Sequence, residues 1–91
     1  MPRKTLEPDP HLDVSAGLAR YLTVALEDPD PGVFLAAVGH VARSRGMSEI
    51  AQSAGLGRES LYKALLPDAK PRYDTVVRVL RSLGLKLRVT T

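Results

Sequence analysis

The sequence predicts an all-α fold of five helices followed by a short C-terminal β-strand, with the third and fourth helices forming a helix-turn-helix. Three observations carry this expectation. Apolar residues recur at intervals of three and four in five successive blocks, glycine or proline stands at the block boundaries, and only the last residues alternate apolar with cationic side chains.

The elements follow in order. Residues 1–13 hold three of the seven prolines, mixed charge and few apolar side chains, so a flexible arm is expected there. Residues 14–91 then form a single domain. Ser15 is a candidate N-cap for a helix through Leu26, with Leu18, Leu22, Ala25 and Leu26 on one face. Glu27-Asp28-Pro29-Asp30-Pro31-Gly32 breaks it. Asp30 as N-cap and Pro31 at the first helical position start a second helix, because the missing proline N–H has no partner there in any case. That helix runs to Arg45 with Phe34, Ala37, Val38 and Val41 as its apolar stripe, and Gly46 ends it.

Met47 to Leu66, MSEIAQSAGLGRESLYKALL, carries the helix-turn-helix. Ser48 is expected to cap the first of its helices. Ala51 is small where the two helices would come closest, and Gly55 reverses the chain in a left-handed conformation that costs glycine little. Leu61 points inward from the second helix, Arg58 to Leu66, with Ile50, Ala54, Leu56 and Leu65 filling the other inward positions. Glu49, Gln52, Ser53, Arg58, Glu59, Tyr62 and Lys63 fall outward. A polar loop bounded by Pro67 and Pro71 leads to the last helix, Tyr73 to Leu83, with Tyr73, Val76, Val77, Leu80 and Leu83 inward. After Gly84, residues 85–89 alternate as Leu-Lys-Leu-Arg-Val and read as a strand with one buried face. It either frays into solvent or pairs with another chain, in which case Leu85, Leu87 and Val89 would support a dimer.

Composition narrows the function. A 44% apolar and 25% charged chain is ordinary for a globular protein. Zero cysteines exclude a disulfide framework and a thiolate zinc site, and His11 and His40 stand apart from acidic partners, so no metal or cofactor is expected. No apolar run spans a bilayer and the N-terminus lacks a secretory apolar core, which reads as cytoplasmic. No Cys/His pair, clustered carboxylates or phosphate-cradling glycine loop is present, so an enzyme is not expected. The net charge of +3 is unevenly spread: residues 1–54 hold five Lys/Arg against seven Asp/Glu, and residues 55–91 hold eight against three. Two partners of opposite charge fit that polarity.

A helix-turn-helix places the N-terminal residues of its second helix against base edges in the major groove, which brings Arg58, Glu59, Tyr62 and Lys63 to the front. The fork of Arg58 matches the O6 and N7 of guanine, unless it pairs with a nearby carboxylate. Glu59 either accepts from cytosine N4 or favours the positive end of its helix. Tyr62 touches a thymine methyl, a phosphate, or its own fold. Lys63, Ser48, Lys70 and Arg72 are candidate phosphate contacts, against a solvated surface as the plainer reading. One short helix offers few base contacts, so a two-fold homodimer on an inverted repeat of double-stranded DNA is expected.

Gly55 to Leu87, GLGRESLYKALLPDAKPRYDTVVRVLRSLGLKL, resembles the probable addiction-module antidote proteins, HigA-like antitoxins within the lambda-repressor-like helix-turn-helix group. Tyr21 to Gly55 is similar to the same family. The resemblance implies a five-helix lambda-repressor-like domain, autorepression of a two-gene operon, and neutralisation of a small basic toxin of the RelE/ParE-like type. Carried over by residue, Arg58, Glu59, Ser60, Tyr62 and Lys63 match the family's recognition-helix motif. Gly57 and Arg72 depart from it, standing at cap positions where relatives often carry a small hydroxyl residue, so weaker helix starts are expected there. For a basic toxin, the acidic Glu27, Asp28 and Asp30 are the candidate contacts, or else solvated residues around a helix break. A free-standing phage-type repressor without a toxin and a protein-binding helical adaptor are the other readings.

Overall fold

Connections of four, one, three and eight residues join five helices: α1 (Pro10–Leu26), α2 (Pro31–Arg45), α3 (Met47–Ala54), α4 (Arg58–Ala64) and α5 (Tyr73–Ser82). The structure is a computed structural model, and it describes residues 10–91, with side chains from residue 16 onward. The expected N-terminal arm lies, through residue 9, outside the described residues. Helix α1 begins at Pro10, upstream of the expected cap Ser15. The physical reason is that a proline suits the first turn, and nothing from His11 to Val14 breaks a helix.

Asp30 caps α2 as expected, its Oδ1 accepting from the Gly32 N–H at 2.9 Å, with Pro31 in the first turn. Gly46 ends α2 and starts α3, and its φ of 111° is a conformation that side chains resist. The cap expected of Ser48 is therefore corrected: Ser48 is the second residue of α3, the cap position belongs to Gly46, and no side chain closes that end. Gly57 and Arg72, at the starts of α4 and α5, likewise make no side-chain cap. Helix α4 ends at Ala64, short of Leu66, because a residue preceding proline is pushed out of helical geometry.

The core is wholly apolar among the described residues, with Val38, Leu61 and Val79 fully buried at its centre. Helix α1 packs on α2, α2 on α3, and α3 on both α4 and α5. Alanines 42, 51 and 54 are buried where these helices meet. At α5 Val79, Leu80 and Leu83 are buried and Val76 partly so: Val76, Leu80 and Leu83 lie inward as expected, Val79 joins them, and Val77 is only partly buried. Tyr73, expected inward, is 74% exposed because it precedes the stretch that packs on α3.

The expected strand at residues 85–89 does not form; the chain after Ser82 holds no regular element. A ladder needs a partner strand, and the described chain offers only helices. The first residue of the would-be strand is also committed elsewhere: the Leu85 N–H bonds the Leu80 carbonyl and the Gly84 N–H the Arg81 carbonyl, both at 2.9 Å, which closes α5 in a Schellman motif. Of the alternating residues, Leu85 alone is partly buried. Leu85 packs against the core and lines, with Leu87, a groove floored by Leu22, Phe34 and Leu80. Leu87 stays 41% exposed and Val89 98% exposed.

Candidate nucleic-acid interface

The turn between α3 and α4 is fixed by its hydrogen bonds. Gly55, at φ 73° and ψ 33°, donates to Gln52, and the Leu56 N–H bonds the Ala51 carbonyl at 2.8 Å. This is a Schellman closure, accompanied by Leu56 packing onto the core. It lets α4 leave at an angle set by three residues, Gly55 to Gly57.

Helix α4 has seven residues, too few to persist alone in water. Leu61, fully buried, and Leu65, 4% exposed, hold it down onto α3 and the core. One face is thereby fixed inward. Arg58, Glu59, Ser60, Tyr62 and Lys63 all lie on the exposed face. The inward set expected from the sequence, Ile50, Ala51, Ala54, Leu61 and Leu65, is buried, with Leu56 partly so.

Arg58 has an internal companion, and it is aromatic rather than acidic: its guanidinium carbon lies 5.9 Å from the centroid of the Tyr62 ring, one helical turn on. Such a cation–π contact restrains a long side chain while leaving its N–H donors unused. Tyr62, at 41% exposure, presents both a ring to Arg58 and a hydroxyl to solvent. Glu59 stands in the first turn of α4, where a carboxylate opposes the helix's positive end, and Lys63 in the last turn, where a cation opposes the negative one.

The other candidates are more dispersed. Ser48 is exposed near the start of α3, beside the uncapped end. Arg72 pairs with Asp74 across the start of α5 at 3.3 Å, an exposed ion pair worth only ~0.2–1 kcal/mol. Lys70 lines a groove with Asp28, Pro29 and Pro31. Two arginines that the sequence reading left unassigned, Arg78 and Arg81, share a shallow groove with Ser53 and Ala54. They stand beside the last turn of α3, the negative end of that helix's dipole, which favours cations.

In the acidic turn, two of the three carboxylates hold the backbone. Asp30 caps α2, and Asp28 accepts from the Asp30 N–H at 2.9 Å. Glu27 is exposed and makes no ion pair among the described residues. The described residues contain no group of His, Asp and Glu able to hold a metal ion, and no helix long and apolar enough to cross a membrane.

A family model described as probable addiction module antidote protein matches residues 4–91. A Haemophilus influenzae protein, described only as an uncharacterized protein, is 39% identical over 79 residues, which is 87% of this chain and 81% of that one. No solved structure matches the chain.

Proposed function

The chain belongs to the probable addiction module antidote protein family, and on that premise we propose that it is a DNA-binding antitoxin of the HigA-like, lambda-repressor-like kind. In this reading it represses its own operon and neutralises a small basic toxin of the RelE/ParE-like type. The observation that carries the DNA-binding part is α4 itself. Its apolar side is committed to the core while Arg58, Tyr62 and Lys63 are exposed, Arg58 restrained by the Tyr62 ring and in no ion pair among the described residues. An exposed, basic helix held at its base by a tight glycine turn is what major-groove insertion requires.

Arg58 is the base reader, reaching guanine O6 and N7. Lys63 and Ser60 contact phosphates, with Ser48 and its neighbouring free N–H groups adding a further phosphate contact from α3. Arg72 contributes less, since it pairs with Asp74 of its own chain. Two copies bind an inverted repeat. The deciding experiment is a gel shift on the protein's own promoter, with Arg58→Ala as the comparison. Wild-type binding reduced by the substitution supports the reading, and a promoter left unshifted at micromolar protein overturns it.

For the toxin, Glu27 is the first acidic contact of the α1–α2 turn, since Asp30 caps α2 and Asp28 gives one of its two oxygens to the Asp30 N–H. Glu27→Lys is expected to weaken capture of the co-expressed toxin on the order of tenfold by placing like charges together. Promoter binding should stay unchanged, and an unaltered toxin affinity removes Glu27 from the account.

A further inference from the structure

On the side of the molecule built by α1 and the start of α2, Tyr21, Val24 and Val33 are 47%, 66% and 37% exposed. They line a shallow groove together with Gly17, Arg20 and Asp28. We propose that a second copy of this chain docks here, α1 against the partner's α1, antiparallel across a two-fold axis near Val24. The inference deepens the DNA-binding reading, which needs two copies, by naming the surface that joins them.

The charges decide the occupant. Arg20 and Val24 lie one turn apart on α1, Asp28 follows four residues later, just past the helix end, and all three line one groove. The Asp28 N–H bonds the Ala25 carbonyl at 3.2 Å, a tightened last turn that holds Asp28 against the end of α1. Val24 stands midway between Arg20 and Asp28 along the chain. Reversing this order about Val24 sets each Arg20 opposite the partner's Asp28. A two-fold interface requires a patch that matches itself in this manner.

Neither charge is satisfied within the chain: among the described residues the ion pair is Arg72–Asp74. Asp28 uses Oδ1 for the Asp30 N–H, which leaves Oδ2 for an arginine. Gly17 has open space where a side chain would stand, so the backbones can approach at that end. Tyr21 is already steadied by His40, the ring centroids 6.5 Å apart, and a rigid aromatic is an effective interface anchor. The C-terminal tail is less suited to the task, because Leu85 packs into the core of its own chain.

Sedimentation velocity of the full chain across micromolar concentrations tests this. Arg20→Asp and Asp28→Arg should each raise the dimer dissociation constant about tenfold or more, since like charges then face each other twice. Combining the two reversals should restore dimerisation to near the wild-type constant. Val24→Asp should leave a monomer of unchanged helicity, and Val89→Asp should leave the dimer intact. The proposal is overturned by a wild-type monomer, by single reversals without effect, by a double reversal as defective as the singles, or by dimer loss on Val89→Asp. Should Asp28→Arg melt the turn, Arg20→Asp and Val24→Asp still decide. A monomer that shifts its promoter sinks this inference alone, whereas a dimer that does not shift it sinks only the DNA-binding reading.

Discussion

Arg58 and Tyr62 act as a pair, and their contact ties a local distance to a functional claim. Removing Arg58 removes the proposed guanine contact, so Arg58→Ala is expected to lower operator affinity by ~1–3 kcal/mol, roughly 5- to 150-fold, in a titrated gel shift. Tyr62→Phe keeps the ring beneath the guanidinium and should bind nearly as well, whereas Tyr62→Ala should lose affinity. Gly32 carries a different constraint. A Cβ there would stand 2.5 Å from the Pro67 carbonyl oxygen, too close for any side chain. Gly32→Ala must push the loop after α4 outward, at ~1–3 kcal/mol of stability. In a thermal melt that is a fall of ~4–8 °C per kcal/mol for a domain this size.

Among the elements, α4 depends most on its neighbours. Its seven residues stand because Leu61 and Leu65 are buried and because Gly55 closes the preceding turn. Leu61→Ala should cost ~2–5 kcal/mol in chemical denaturation and expose the α4 amides to hydrogen exchange before those of α2. Equal protection of the two helices would contradict this order. The tail shows the same dependence in reverse. Its alternating pattern is real, but with only helices to meet among the described residues it forms no strand, and Leu85 and Leu87 line a groove with Leu22 and Phe34.

Across the whole molecule, charge is sorted by position. Eight of the thirteen Lys/Arg follow Gly55, on the part that carries α4 and α5, while the acidic turn lies at the α1–α2 end. Helix α4 rests on α3 whereas α1 rests on α2, so DNA on one and a protein on the other would not compete for the same elements. If a dimer neutralises ~6–10 phosphates, operator affinity should fall by ~10³–10⁵ between 50 and 200 mM salt. A complex indifferent to salt would contradict the phosphate contacts assigned to Lys63, Ser60 and Ser48.

Five helices, the α3–α4 turn at Gly55, the Asp30 cap and the inward set around Leu61 were legible in the sequence, because each rests on interactions within a few residues. The outward identity of Arg58, Tyr62 and Lys63 was legible for the same reason, as the complement of that inward set. What the sequence left undecided depended on distant partners. Tyr73 faces solvent and Val79 the core because α3 determines which side of α5 is covered, and residues 85–89 form no strand because the ladder they would need is missing among the described residues. The shared groove of Arg20, Val24 and Asp28 likewise shows only once α2 is packed against α1. Periodicity sets what a segment can become, and the neighbours it meets set which of its faces is hidden.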